Sequence, residues 1–254
     1  MPLLDALSPL EGQLGLLLIL LSVLTSAFTA AFGAGGGVLM IMALAQVMPP
    51  AALIPVHGMV QLGSNVGRMA MTWRHVDRVT LLAFLPGVAL GALAAAWLLI
   101  RLPAGVLELC IAAFVLFTLW GPGLPRRALG GPGTLVMGAV TTLLSSLVGA
   151  SGPAVAAFIK QRQEGRLAKV ATFSACMMAQ HLTKAFVFGV AGFVFRDWLG
   201  LILAMVAAGF LGTWLGLNVL RRLSDQRFDG VFRLALTLLA LRLVWLGFQR
   251  LWSP

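Results

Sequence analysis

Two glycine-rich breaks interrupt long apolar runs and have residue types that suit anion binding. They are Gly33-Ala34-Gly35-Gly36-Gly37 and Gly149-Ala150-Ser151-Gly152-Pro153. Glycine lets the backbone turn and expose its N–H groups, and the N-terminus of a helix that follows adds a partial positive charge. An anion is therefore the natural ligand of each break. Tight helix packing through small residues is the alternative interpretation.

A stripe of polar side chains follows the first break, in the third apolar run of the chain. Its members are spaced three or four residues apart, which places them on one face of a helix: His57, Gln61, Ser64, Asn65 and Arg68. A matching run in the second half contains Gln180, His181 and Lys184. Because a charge at membrane depth is costly, we expect Arg68 and Lys184 to face protein or a watered cavity. Snorkelling to the headgroups is the alternative for both.

His181 is the deep side chain that we expect to titrate near neutral pH. It is a candidate to bind the substrate or to carry a coupling proton, and a hydrogen-bonded structural histidine is the alternative. We place His57 nearer the outer surface and give it no such role. No aspartate or glutamate lies mid-span, so the usual acidic site of proton- or cation-coupled transporters is missing and coupling stays open.

The two halves of the chain match when it is shifted by 116 residues. The shift carries Thr25, Ser26, Thr29, Gly33, Ala34 and Gly36 onto Thr141, Thr142, Ser145, Gly149, Ala150 and Gly152. It also carries Asn65 onto His181 and Arg68 onto Lys184. This pattern predicts two repeats, residues 1–122 and 132–254, joined by a basic cytoplasmic linker, 123–131, and is typical of secondary transporters. Chance matching in so biased a composition is the alternative.

Composition predicts an all-α, polytopic membrane protein. Of the 254 residues 60% are apolar and 10% charged, too apolar for one soluble domain. The apolar segments run roughly 12–31, 36–48, 51–73, 79–100, 104–121, 132–148, 152–162, 168–192, 197–220 and 229–250. Segments 36–48 and 152–162 are too short to cross a hydrocarbon core of about 30 Å, so we interpret them as broken or re-entrant helices. The net charge of +10 is scattered and no nucleic-acid motif appears, which argues against a nucleic-acid partner.

Basic residues in the connections predict the orientation of the chain. With both termini outside, eleven fall in inside connections: Arg74, Arg78, Arg126, Arg127, Lys160, Arg162, Arg166, Lys169, Arg221, Arg222 and Arg227. Three fall outside: Arg101, Arg196 and Arg250. Such a bias is the usual signal of the cytoplasmic side. It requires five passes per half, and an odd number inverts the second repeat relative to the first.

The sequence resembles the TauE/SafE-like sulfite and sulfonate exporters. The resemblance rests on the stretches AFGAGGGVLMIMAL, HGMVQLGSNVGRMA and LVGASGPAVAAF, and extends over nearly the whole chain in length and hydropathy. It implies a permease of the bacterial or archaeal inner membrane that moves small sulfur-containing anions such as sulfite, sulfoacetate or other sulfonates, usually outward. The second half departs from the first, with His181 in place of Asn65 and GASGP in place of GAGGG. The two half-sites are therefore chemically unequal.

Together these features predict a transporter that works by alternating access. The oxyanion would lie between the breaks, held by backbone N–H groups and by the polar side chains of Thr29, Asn65, Ser145, Ser151 and His181, beside Gln61 and Gln180. Arg68 and Lys184 would serve the two mouths. The alternatives are a passive anion channel and an intramembrane serine protease with a Ser151–His181 dyad. No enzyme activity, metal or cofactor is expected, the lipid bilayer is the expected surrounding, and a homodimer stays open.

Overall fold

The computed structural model describes residues 7–98, 130–149, 151–219 and 228–252, with parts of 106–121. All regular secondary structure in these residues is helical, which confirms the predicted class. The α-helices are α1 (Gly12–Phe32), α2 (Gly36–Val47), α3 (Pro50–Thr72), α4 (Arg78–Leu98), α5 (Gly131–Val148), α6 (Gly152–Arg162), α7 (Arg166–Val190), α8 (Leu199–Val219) and α9 (Phe228–Trp252). Short 3-10 helices, Trp73–His75 and Phe195–Trp198, precede α4 and α8.

Four helical stretches of the described chain are long and apolar enough to cross a membrane. They are Gly12–Phe32, Arg78–Leu98, Gly131–Val148 and Phe195–Asn218. The protein is therefore a multi-pass membrane protein. Helices α3 and α7 are just as long but more polar, because they carry the predicted stripes.

Helices α2 and α6 are short, with 12 and 11 residues. At 1.5 Å per residue they span about 18 and 16 Å, less than a hydrocarbon core. The predicted segment 104–121 and the linker 123–131 fall largely outside the described residues. Six of the basic residues that predict the orientation also fall outside them: Arg101, Arg126, Arg127, Arg221, Arg222 and Arg227.

The first and second breaks begin in the same way and then differ. Gly33 and Gly149 end α1 and α5 in the left-handed region, with φ of 87° and 77°. Their N–H groups donate to the carbonyls of Thr29 and Ser145, so each helix ends with a left-handed cap. Gly35 then has φ of 107°, whereas its counterpart Ser151 has φ of −79°. The two breaks therefore differ in backbone conformation at this position, because a serine side chain disfavours the conformation that Gly35 adopts.

Helices pack reciprocally between the halves. Helix α1 packs against α8, α5 packs against α4, and α3 crosses α7 at the centre. The outer pairs approach closely at small residues: Gly212 faces the carbonyl of Val23, and Gly87 that of Leu135, with no room for a Cβ at either glycine. Close backbone approach through small residues is the usual way in which membrane helices associate.

Two apolar clusters flank the central crossing. The larger surrounds α2 and the start of α3 and includes Met40, Ile41, Leu44, Leu53 and Ile54. The smaller joins α4, α6 and α7 and includes Phe84, Phe158, Phe173 and Met177. The polar faces of α3 and α7 are buried where these two helices cross, so the fold holds polar side chains in its interior.

Candidate functional site

Both glycine-rich breaks line one small interior cavity. The cavity has a volume of about 20 Å³ and is lined by Thr29, Gly35, Gly37, Val38, His57, Gln61, Asn65, Gly149, Gly152, Phe173, Met177 and His181. Segments that are far apart in the chain therefore meet at the α3–α7 crossing. The volume is enough for roughly one water molecule, so the site is contracted in this conformation.

Two helices begin at the cavity. Gly37 lies in the first turn of α2, and Gly152 is the first residue of α6. The first amide groups of an α-helix have no partner within the helix, and the helix dipole adds positive potential there. The two N-termini thus bring hydrogen-bond donors and positive potential to the same small volume, the combination that binds oxyanions.

A cluster of buried nitrogen atoms adjoins the cavity. Within the described chain, Lys184 Nζ, both ring nitrogens of His181 and Nδ1 of His57 have no hydrogen-bond partner. The rings of His57 and His181 lie edge to face with centroids 6.0 Å apart. Lys184 is 0% exposed, and its stem packs against Gly58 of α3. Buried polar groups normally have hydrogen-bond partners. These nitrogen atoms therefore mark a position at which a polar ligand can supply the missing partners.

His57 is fixed by α2. Its Nε2 pairs with the carbonyl oxygen of Gly37 at 3.0 Å, and because a carbonyl only accepts, Nε2 is the donor. This hydrogen bond ties the polar face of α3 to the first turn of α2. Among the described residues no group of three or more His, Cys, Asp or Glu side chains is arranged to hold a metal ion.

Arg68 holds a side chain that lines the cavity but does not line it itself. It is 1% exposed, and it donates from Nη1 to Asn65 Oδ1 at 3.1 Å and from Nη2 to Ser64 Oγ at 3.0 Å. Asn65 in turn donates to the carbonyl of Gln61 at 2.7 Å. In this conformation protein buries both Arg68 and Lys184, so neither side chain lies at an open mouth. Snorkelling is excluded for the same reason.

Ser151 belongs to a structural hydrogen-bond chain. Its hydroxyl donates to Gln180 Oε1 at 2.9 Å, Gln180 Nε2 donates to Thr141 Oγ1 at 2.7 Å, and Thr141 donates to the carbonyl of Met137. The chain connects the start of α6 to α7 and α5. Because Ser151 points to Gln180 and not to His181, the geometry of a Ser–His dyad is not formed.

The predicted site residues fall into three groups. Those that line the cavity are Thr29, Gly35, Gly37, Gln61, Asn65, Gly149, Gly152 and His181. Those placed elsewhere in the structure are Gly33, Ala34, Gly36, Arg68, Ser145, Ser151, Gln180 and Lys184. Ala150 lies outside the described residues.

Four lining residues were not predicted: Val38, His57, Phe173 and Met177. The sequence does contain a signal for His57, because it shares the polar stripe with Gln61. Its position near the start of the helix suggests a place close to the surface, and this is why it is missing from the predicted site. Phe173 is the repeat counterpart of His57 and carries no polar signal.

The profile of the family described as Sulfite exporter TauE/SafE matches residues 18–243. The chain belongs to the TauE/SafE sulfite exporter family. No curated protein and no solved structure matches it. Members of this family are membrane transporters of sulfite and related sulfur anions, which confirms the resemblance and agrees with a cavity that offers hydrogen-bond donors to an anion.

Proposed function

We propose that this chain is a secondary transporter that exports small sulfur-containing anions, such as sulfite, sulfoacetate and other sulfonates, across a bacterial or archaeal inner membrane. One observation carries the proposal: His181, whose buried ring nitrogens have no partner among the described residues, lines the same cavity as Gly37 and Gly152 in the first turns of α2 and α6. A small oxyanion has negative charge and several acceptor oxygens. It would satisfy the donors that this arrangement leaves open.

The oxyanion binds between the two breaks in this proposal. Its oxygens accept hydrogen bonds from the N–H groups of Gly36 and Gly37 in α2 and of Gly152 in α6, because Pro153 has no N–H and the next amides donate to Gly35 and Ser151. Its charge pairs with Lys184. Arg68 acts indirectly, by holding Asn65 at the wall of the cavity. Because the cavity is contracted, binding needs side chains to move, and Met177 is suited to this since its unbranched side chain changes rotamer easily.

Alternating access follows from two inverted repeats, residues 1–122 and 132–254, with both termini outside. The 116-residue match and the reciprocal packing of α1 on α8 and of α5 on α4 support this arrangement. In such transporters one half rocks against the other around a binding site near the midplane. His181, with both ring nitrogens unpartnered among the described residues, is the proposed carrier of a coupling proton.

Transport by Lys184→Ala tests the role of the lysine. We expect reconstituted protein to move labelled sulfite in a saturable manner, and the variant to be slower by about tenfold or more, because a charge-assisted contact is lost. The variant should melt at the same or a higher temperature in detergent, since it removes an unpaired buried charge. Thermal melting thus separates loss of binding from loss of folding.

Arg196→Gln is the matched control. Arg196 is exposed in the 3-10 helix before α8, so its loss removes one positive charge far from the cavity. We expect its transport rate to stay within about twofold of the unmodified protein, as for other exposed charges. A normal rate for Lys184→Ala contradicts the assigned role. Flux that does not saturate, with single-channel currents, instead assigns a passive anion channel.

A further inference from the structure

A second, larger cavity reaches the surface at one end of the helix bundle. It has a volume of about 410 Å³ and lies between the C-terminal end of α1, helix α6 and the start of α7. We call it the basic vestibule, because Lys160, Arg166 and Lys169 line it. Lys160 and Arg166 are exposed, so the vestibule is open to water. The proposed orientation puts it on the cytoplasmic side.

The vestibule has an excess of positive charge. Among the described residues that line it there are three cations and no Asp or Glu, and Glu164, which is exposed before α7, is not one of them. Arg166 and Lys169 are the first and fourth residues of α7, where the helix dipole disfavours a cation. Helix stability therefore does not account for them. The excess of basic residues in cytoplasmic connections explains why such residues occur on this side. It does not explain why they surround a cavity.

The repeat counterpart of the vestibule is neither open nor charged. The 116-residue shift places Leu44, Pro50 and Leu53 at the positions of Lys160, Arg166 and Lys169. Leu44 and Leu53 belong to the larger apolar cluster and are 0% and 1% exposed. The repeat fold therefore does not require cations at these positions. The three cations therefore occur on one side of the molecule only.

Phe173 connects the vestibule to the central cavity. It is the one residue of the described chain that lines both. The vestibule and the central cavity therefore approach each other at this aromatic side chain. A volume of about 410 Å³ lies in the range of small-molecule sites, and a cleft lined by one sign of charge concentrates counter-ions.

We propose that the basic vestibule is a second binding site for small oxyanions of the sulfonate class, at which the exported anion is captured before it passes Phe173. This proposal rests on the proposed function for the identity of the anion. Lys160, Arg166 and Lys169 hold the anion by charge in a hydrated site. The site raises the local substrate concentration on one face of the protein only.

A cysteine probe tests the vestibule without relying on transport. Ala157 lines the vestibule, so Ala157→Cys is made in a Cys110→Ser, Cys176→Ala background and placed in nanodiscs of zwitterionic lipid. Its reaction rates with anionic and cationic methanethiosulfonate reagents are each divided by the rate with free cysteine. We expect about a tenfold advantage for the anionic reagent. Methanesulfonate should slow the reaction more than chloride at equal ionic strength.

Two double variants distinguish the effect of the charges that line the vestibule from the effect of positive charge elsewhere on the surface. Arg166→Gln with Lys169→Gln should reduce the anionic advantage to about threefold or less. The control pair, Arg74→Gln with Arg78→Gln, removes two exposed charges that do not line the vestibule and should leave the advantage unchanged. Equal losses in both pairs overturn the proposal. So does protection by anionic lipid but not by methanesulfonate, which would assign the site to lipid headgroups.

Transport provides the second arm of the test. The vestibule pair should raise the KM for sulfite about fivefold when substrate is supplied on that face, with an unchanged maximal rate and an unchanged KM on the other face. If sulfite is not transported but the anionic reagent keeps its advantage, the proposed function fails and the vestibule stands. If the advantage is absent, the vestibule proposal fails whatever the transport result.

Discussion

At the scale of single residues, Gly36 and Gly152 show how far the two halves have diverged. Each is the first residue of its short helix. A Cβ at Gly36 would clash with the carbonyl oxygen of Thr25 and with Thr29 Oγ1, whereas a Cβ at Gly152 would have its nearest contact at 3.8 Å, to Phe173. The same position is therefore tightly packed in one half and open in the other.

This difference predicts opposite outcomes for two alanine substitutions. Gly36→Ala should destabilise the protein by about 3 kcal/mol or more, because the backbone of α1 must move to admit the methyl group. Gly152→Ala should change stability by less than about 1 kcal/mol, since its contact is ordinary and alanine favours helix. Thermal unfolding in detergent compares the two. Equal losses would contradict the asymmetric packing.

Residue types and spacing predict part of the candidate site. The breaks and the stripe predict that Gly37, Asn65 and His181 lie near one another. Helical periodicity places Asn65 on the polar face of its helix, and the 116-residue match places His181 at the equivalent position of the other half. The partner of Ser151 was not predictable, since Gln180 is brought to it only by the packing of α6 against α7. Arg68 was placed at a mouth because sequence gives depth along a helix but not the neighbours that bury a side chain.

At the scale of elements, Asp77 joins two connections on the vestibule side. Its carboxylate accepts hydrogen bonds from Thr80, Gln163 and the N–H of Val79, and its own N–H donates to Thr172 Oγ1 at 3.0 Å. The connection between α3 and α4 is thereby fixed to the end of α6 and to α7. Partial burial raises the pKa of Asp77, but these hydrogen bonds outweigh it and hold the pKa below its ordinary value of 3.8.

The shift in pKa predicts a pH-dependent contribution to stability. A carboxyl group with a lowered folded-state pKa stabilises the fold above its unfolded pKa, and this contribution is lost as pH falls through the folded value. Asp77→Asn should therefore cost at most about 1 kcal/mol near pH 7, because water screens this partly exposed carboxylate, and progressively less below about pH 4. Melting temperatures of both proteins between pH 7 and pH 3 measure the difference.

Asp197→Asn is the control for this pH dependence. Asp197 is exposed in the 3-10 helix before α8, away from the Asp77 connections. Its melting curve should follow that of the unmodified protein at every pH, as expected for an exposed carboxylate. A constant deficit for Asp77→Asn across the whole range would mean that the side-chain shape matters and its charge does not.

Element bounds were largely predictable from apolar runs and glycine. The short helices begin at Gly36 and Gly152, as expected from the breaks, and end at Val47 and Arg162. The pairing of helices was not predictable in this way. Nothing in the local sequence of α1 specifies α8 as its neighbour, because that contact depends on small residues far apart in the chain, such as Gly212.

At the scale of the whole molecule, the two sides of the central cavity are closed differently. Toward the vestibule, the side chain of Phe173 lines both the cavity and the open space next to it. At the repeat-equivalent positions of the other half, Ile41, Leu44 and Ile54 are all buried in an apolar cluster. The repeat match already shows part of this asymmetry, since Leu44 stands where the other half has Lys160, but the cavity that the cations line was not predictable from it. It is a property of the conformation, and it favours access from the vestibule side.

The wall formed by Phe173 predicts a specific change in access to the cavity. Met177 lines the central cavity, so Met177→Cys, in the same cysteine-free background, reports its contact with water. Removing the aromatic ring with Phe173→Ala should join the cavity to the vestibule. A water-soluble thiol reagent should then modify the cysteine about tenfold faster or more, because local exclusion of water no longer limits the reaction.

Phe158→Ala is the matched control for this last prediction. Phe158 belongs to the same apolar cluster and is equally well buried, but it lines neither cavity. Its loss leaves a ring-sized void in that cluster without opening a path between the two cavities, so it measures the effect of loosened packing alone. If the two variants accelerate modification equally, the effect comes from general loosening of the fold. A selective effect of Phe173→Ala instead places the barrier between vestibule and binding site at this one side chain.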